Sequence, residues 1–137
     1  MLREEQPVQV KAIWQQGYQV ELKAREHIFI VDEPTDSGGL DHGPMPTELL
    51  LASLASCLTL AIRHVCLKKR LELLQLQVDV QGGFDRTSFK CVQLMAEVTS
   101  SLAPKLLKQI VDKAIKYCYV SNTLYDGCQI SYRINNN

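Results

Sequence analysis

The sequence has no CxxC pair, although it holds five cysteines, and none of its cysteine and histidine spacings matches a zinc site. No apolar segment follows its basic start, so no signal peptide is visible. We therefore expect a cytoplasmic protein without a metal. In a reducing cytosol, cysteines are usually buried small hydrophobes or catalytic thiols rather than structural bridges.

The chain also lacks an excess of charge of either sign. Fifteen basic and fifteen acidic residues give a formal net charge of zero, which argues against a broad nucleic-acid surface. The basic run at 68–70 is short and is expected to be a solvated helix end. The longest apolar run is interrupted by Thr59, Arg63 and His64, so it reads as too short and too broken for a membrane span. We expect neither nucleic acid nor a membrane as a partner.

No internal repeat appears, and 137 residues fit a single domain over 1–137. Alternation of apolar and polar residues, amphipathic spacing and turn residues predict an α+β layout in the order βββ-α-ββ-α-β. The predicted elements are strands in 7–15, 18–24 and 27–33, a loop at 34–46, a helix from Pro46 to Arg70, a hairpin over 71–101, an amphipathic helix in 103–118 and a last strand at about 128–134.

The first half of the long helix is apolar on all sides, which predicts a central buried helix. Cys57 lies at its centre among the small residues of the stretch 52–56, which would let another backbone or a substrate come close. Cys118 follows the amphipathic helix and precedes residues that favour caps and turns. Composition alone does not bring the two cysteines together, and both could simply fill the core.

Three stretches carry a resemblance to a known family: "GPMPTELLLASLASC", "CYVSNTL" and the loop "DEP…GG.DHGP". Together they resemble the OsmC/Ohr family, and within it the YhfA-like branch. The resemblance implies an intertwined homodimer with a central helix packed on antiparallel sheet and two active sites at the interface. It also implies thiol-dependent reduction of organic hydroperoxides, in protection against oxidative or osmotic stress.

Under this resemblance Cys57 is the peroxidatic thiol and Cys118 the resolving thiol. The expected cycle passes through a sulfenic acid and a disulfide, and an external dithiol restores both thiols without a bound cofactor. The family also uses an arginine, held by a glutamate at the helix start, to favour the thiolate. The matching candidates are Arg25 and Glu48, although each could equally be a solvated charge or, for Glu48, a residue that complements the helix dipole.

Two positions depart from the peroxidase pattern. Glu48 comes one residue later than expected, because Thr47 follows the proline, and one residue rotates a helical side chain by about 100°. Tyr119 replaces the usual proline after the second cysteine. These departures leave open a non-catalytic small-molecule-binding or sensing dimer on the same fold, or a purely structural dimer.

The remaining candidate residues are expected to be structural. Cys66, Cys91 and Cys128 are predicted to be packing residues, and the three histidines to have surface or hydrogen-bonded roles. Asp41 and His42 are weak candidates for ligand contact, because their loop borders the expected pocket.

Overall fold

The computed structural model describes residues 7–135. The chain forms two compact units, of which the first ends at Leu50 and the second begins at Leu51. The boundary lies inside the long helix, so its first turn belongs to the first unit and its remainder to the second.

The first unit is an antiparallel meander followed by a loop. Its strands, in the sheet order β1-β2-β3, are β1 (Lys11–Gln16), β2 (Gln19–Ala24) and β3 (His27–Val31). Gly17 turns the chain between β1 and β2 with a φ of 51°, a left-handed conformation that glycine adopts without steric cost. The predicted three-strand meander is confirmed, and the predicted loop contains only one short 3₁₀ turn, at Thr35–Ser37.

The expectation that β1 is half buried is wrong. Every residue of β1 is exposed, and Trp14 retains 70% of its accessible surface while its indole N–H donates to the Gly17 carbonyl oxygen at 2.9 Å. Val8 and Val10 precede the strand and are also exposed. The alternation therefore produced a strand with one apolar face, but a period of two does not specify what covers that face.

The long helix, α1, spans Pro46–Lys68 and ends before the predicted Arg70. Arg70 has a φ of 54°, and the N–H of Leu71 bonds to the Cys66 carbonyl oxygen at 2.9 Å, which closes the helix end. The predicted central buried helix is confirmed. Its buried residues share one face of α1: Leu54, Leu58, Ala61, Ile62, Val65 and Cys66.

By length and mean hydropathy α1 could cross a membrane, since it has 23 residues and its most apolar window has a hydropathy of 1.8. A core helix of a globular domain has the same composition, and α1 supplies most of the buried residues of the second unit.

A long hairpin packs against α1 in the second unit. Its strands are β4 (Leu76–Asp85) and β5 (Lys90–Ser100), paired antiparallel with an irregularity between Gly83 and Phe84. Residues that alternate along the strands, including Val78, Val80 and Leu94, contact the buried cluster. The predicted hairpin and the central helix on antiparallel sheet are confirmed.

The C-terminal region contains α2 (Pro104–Ala114), a 3₁₀ turn at Ile115–Tyr117 and α3 (Tyr119–Asp126). Pro104 occupies the first turn of α2, where its missing N–H costs no hydrogen bond. Ile110 and Ala114 are fully buried and attach α2 to the core.

The predicted final strand is wrong. Residues 127–135 form neither helix nor strand, and Ile130 and Tyr132 are 73% and 88% exposed. Apolar alternation gives a segment an extended tendency, but a strand forms only where a neighbouring strand supplies its hydrogen bonds. The α+β class is correct, and the observed order is βββ-α-ββ-αα over the described residues.

Candidate functional site

Cys57 and Cys118 meet in the second unit. Cys57 projects from α1 and is half buried, whereas Cys118 joins the 3₁₀ turn to α3 and is fully buried. Both are free thiols, and they lie close enough for a hydrogen bond between them to affect the titration of Cys118. The sequence proposed this pair from the family resemblance alone, and the fold brings its members together.

The surroundings of Cys118 favour its protonated form. Burial of the thiol is the largest effect and raises the pKa of Cys118 above its ordinary value. The backbone N–H of Ser121 acts in the opposite direction, and the neighbouring Cys57 raises the pKa of Cys118 further. Cys118 is therefore a neutral thiol near neutral pH and can act as a hydrogen-bond donor.

Small residues surround Cys57 on α1. Ser56 Oγ donates to the Ala52 carbonyl oxygen at 2.8 Å, and Thr59 Oγ1 donates to the Ala55 carbonyl oxygen at 2.7 Å. These hydroxyls are engaged by their own helix. Cys57 also packs against the buried cluster, so its sulfur has an apolar side and an open side.

An aromatic cluster next to Cys118 was missed by the sequence analysis. The ring of Tyr117 meets the ring of His64 edge-on, with centroids 5.8 Å apart, and the Nζ of Lys68 lies 5.7 Å from the Tyr117 centroid. His64 and Lys68 are four residues apart and share a face of α1. Their spacing was the available signal, but only the fold places Tyr117 against them.

Glu48 lies at the start of α1, where its Oε1 accepts a hydrogen bond from the backbone N–H of Met45 at 2.9 Å. The Met45 carbonyl oxygen accepts the N–H of Leu49, which makes Met45 the N-cap residue that precedes the first helical residue, Pro46. Glu48 is then the third helical residue, the position from which a glutamate reaches back in a capping box. Its carboxylate therefore has a structural partner.

Arg25 lies in the turn between β2 and β3 with a φ of 56°. Together with Lys11 and Lys23 it lines an open cavity of about 440 Å³. Within residues 7–135, Arg25 forms no ion pair with Glu48, although both belong to the first unit. The cysteine pair belongs to the second unit, and the arginine–glutamate clamp stays a prediction.

Asp32 organises the loop before α1, and the sequence analysis did not single it out. It is 2% exposed; Oδ1 accepts the N–H of Glu33 at 2.7 Å and Oδ2 accepts the N–H of His42 at 3.3 Å. Burial raises the pKa of Asp32, but these backbone N–H groups and that of Leu40 outweigh it, so the net pKa is lowered. The available signal was an aspartate directly after an apolar strand and before a proline-rich and glycine-rich loop.

Close backbone contacts hold the same loop in place. A side chain at Gly39 would collide with the Glu33 carbonyl group, and one at Gly43 would collide with that of Ile30. His42 Nδ1 lies 2.9 Å from Gln19 Oε1, which ties the loop to β2. A cavity of about 270 Å³ lies beside this loop, lined by residues that include Tyr18, Asp32 and Leu40. Neither Asp41, His42 nor the two cysteines line this cavity, so contact between the loop and the expected thiol pocket stays a prediction.

The other cysteines differ in exposure. Cys66 is fully buried and packs in the core as predicted, Cys91 is half buried, and Cys128 is exposed, so the packing role predicted for Cys128 is wrong within this chain.

No group of three or more His, Cys, Asp or Glu residues in the described part of the chain is arranged to hold a metal ion.

Comparison with known proteins gives one family. The sequence model of the family described as "OsmC-like protein" matches residues 38–133, more than half of the chain. The matched segment contains both cysteines of the pair and Glu48, whereas Arg25 precedes it. A search of curated proteins gave no match.

Solved structures show the same fold at low sequence identity. The crystal structure of an OsmC-like protein from Mycoplasma pneumoniae has a TM-score of 0.75 and 20% identity, covering 88% of this chain and 89% of that chain. An organic hydroperoxide resistance protein OsmC from Legionella pneumophila has a TM-score of 0.67 and 22% identity, covering 89% and 91%. A Vibrio cholerae protein, described as a putative organic hydroperoxide resistance protein with captopril bound in one of its active sites, has a TM-score of 0.63 and 20% identity, covering 89% and 88%.

Proposed function

Since the chain belongs to the OsmC-like protein family, we propose that it reduces organic hydroperoxides with the Cys57–Cys118 thiol pair. The observation that carries this proposal is the meeting of a half-buried thiol with a fully buried one. The accessible Cys57 can react with a substrate, and the buried Cys118 can then react with the sulfenic acid formed on Cys57. Two relatives of the same fold are named for organic hydroperoxide resistance, which agrees with this reading.

The proposed reaction has two chemical steps and one reset. The Cys57 thiolate attacks one oxygen of the O–O bond; the other oxygen leaves as an alkoxide and takes up a proton to become the alcohol. Cys57 is now a sulfenic acid. The Cys118 thiol attacks its sulfur, the disulfide forms, and hydroxide leaves with the thiol proton as water. An external dithiol then reduces the disulfide and is itself oxidised.

Arg25 and Glu48 are the residues proposed to activate the Cys57 thiol. Arg25 is proposed, from the family resemblance, as the cation that would favour the Cys57 thiolate. Glu48 would hold that arginine. Its hydrogen bond to Met45 uses one carboxylate oxygen and leaves the other available.

A homodimer is part of the proposal. Leu60 on α1 is 69% exposed, and large apolar residues such as Ile28 and Ile134 are also open. A second copy of the chain would cover such surface, as the family resemblance implies.

We also place the reaction in the cytoplasm, where dithiol reductants keep thiols reduced. Membership of the YhfA-like branch belongs to the same proposal.

The test is a single-turnover oxidation followed by intact mass and peptide mapping. One equivalent of cumene hydroperoxide should remove two hydrogens from the protein, in a link between the peptides of Cys57 and Cys118. Cys57→Ser should abolish turnover with a dithiol. Cys66→Ser is the buried control on the same helix, and Cys128→Ser is the exposed control. If the oxidised protein carries its new bond on other cysteines, the proposed pair is wrong.

A binding or sensing protein without turnover is the second candidate. The capping bond of Glu48 and the lack of an Arg25–Glu48 ion pair in the described residues favour it, because both remove support for an activated thiol. The loop cavity of about 270 Å³ could hold a small ligand. Cys57→Ala protein that binds an apolar ligand as tightly as the unaltered protein, while the latter consumes no hydroperoxide, would establish this function instead.

A further inference from the structure

The sulfur of Cys118 occupies the N-terminus of α3. Cys118 is the N-cap residue, with φ −86° and ψ 101°, and its Sγ accepts the backbone N–H of Ser121 at 3.4 Å. Its carbonyl oxygen accepts the N–H of Asn122 at 3.0 Å. Both the backbone and the side chain of this cysteine are therefore attached to the first turn of the helix.

A thiol is an unusual group for this position. N-caps are commonly Ser, Thr, Asp or Asn, because an oxygen acceptor satisfies the free N–H groups of the first turn. The first turn of α3 has no acidic residue. The sulfur of Cys118 is thus the acceptor at the positive end of this helix, where a negative charge is favoured.

The two cysteines differ in their position relative to a helix N-terminus. Cys57 lies in the middle of α1, far from either helix end, where the N–H groups are used within the helix. The Sγ atom of Cys118 directly accepts the backbone N–H of Ser121. The first turn of α3 therefore acts on the resolving thiol and not on the one that meets the substrate.

The attack of Cys118 on Cys57 requires stabilisation of negative charge on the Cys118 sulfur. Cys118 is buried as a neutral thiol, yet its sulfur must carry negative charge while it attacks Cys57. A backbone N–H at the sulfur opposes the cost of burying that charge. The same hydrogen bond restricts the side-chain torsion of Cys118, so that its sulfur stays on the side of Cys57.

We propose that Ser121, through its backbone N–H, is a positioning residue for Cys118: it orients Sγ toward Cys57 and stabilises the charge that develops there as the disulfide forms. This inference rests on the cysteine pair of the proposed function, but not on the peroxide. It requires only that Cys118 attacks an electrophilic sulfur on Cys57.

Two proline substitutions in the first turn of α3 test the N–H. Ser121→Pro removes the donor that contacts Sγ, whereas Tyr119→Pro places the same ring in the same first turn and removes an N–H that makes no bond to the sulfur. Both variants are made with Cys91→Ser and Cys128→Ser, which leaves the fully buried Cys66 as the one cysteine outside the pair.

The assay uses an aromatic disulfide reagent that releases coloured thionitrobenzoate. A first release reports the mixed disulfide at Cys57. A second release reports attack by the Cys118 thiolate on the Cys57 sulfur, which forms the protein disulfide and expels the second thionitrobenzoate. Ser121→Pro should slow the second release roughly ten- to a hundredfold, the loss of one hydrogen bond to a charged group. It should leave the first release unchanged and move the pH midpoint of the second release upward.

Other outcomes overturn the proposal. Equal second-release rates in Ser121→Pro and the parent would show that the N–H has no role. Equal slowing in both proline variants would show that any disturbance of α3 suffices. Absence of a second release in the parent would refute the cysteine pair itself, and with it the proposed function. A normal second release in a parent that hydroperoxide does not oxidise would instead leave the positioning role of Ser121 standing and refute the peroxidase function alone.

Discussion

Glu48 reaches back one helical turn to the N–H of Met45, so the acidic residue assigned to thiol activation is also the residue that caps α1. The capping position follows from Pro46, which fixes the first helical residue and makes Glu48 the third. One carboxylate oxygen of Glu48 is therefore directed at the backbone of the helix start.

Replacing Glu48 separates its two roles. Glu48→Gln keeps an oxygen that can accept the Met45 N–H, so we expect stability to be nearly unchanged, whereas Glu48→Ala should cost about 0.5–2 kcal/mol of unfolding free energy. If the carboxylate also holds Arg25, Glu48→Gln should lose hydroperoxide turnover although the protein remains as stable. Chemical denaturation and a turnover assay on the same preparations distinguish a cap alone from a cap that is also catalytic.

The loop before α1 should become less stable in acid because of Asp32. The folded pKa of Asp32 lies below the ordinary value of about 3.9, so its contribution is complete above that value and is lost as pH falls through the unfolded and then the folded pKa. Asp32→Asn should lower stability at neutral pH and flatten its dependence on pH below about 5. The exposed Asp36→Asn variant in the same loop should retain the unaltered profile in urea titrations across this range.

Ile62 should be among the most sensitive positions of the core, because it is fully buried on α1 and belongs to the central cluster. Ile62→Val should cost about 0.5–1.5 kcal/mol and Ile62→Ala about 2–5 kcal/mol, since the second leaves a larger cavity. Denaturant midpoints at constant slope measure both. Costs of equal size for the two variants would mean that the site collapses around the smaller side chain.

Leu60 should control assembly rather than folding. It lies on the same helix as Ile62 but is 69% exposed, so an aspartate there disturbs little within one chain and places a charge in any interface that covers it. Light scattering should show a dimer for the unaltered protein and for Lys69→Asp, and a monomer for Leu60→Asp. A dimer in all three would show that the interface lies elsewhere.

The sequence predicted the elements well where a local pattern was sufficient. Alternation gave β1 to β5, the amphipathic spacing gave α2, and Pro46 marked the start of α1. The prediction failed at residues 127–135, where the alternation is present but no neighbouring strand pairs with it. The predicted burial of β1 failed for a related reason, because a pattern shows which face is apolar and not what lies against it.

The residue pattern of the chain determined its α+β class and its hairpins, and the family resemblance alone identified the two candidate thiols. Only the tertiary structure decided that Cys118 is buried at the N-terminus of α3, that Glu48 caps α1 and that Asp32 holds the loop together. Secondary structure follows from periodicities within a few neighbouring residues. The contact between two sulfur atoms and the hydrogen bonds of a buried carboxylate depend on residues that are far apart in the sequence. Local periodicities do not encode such contacts.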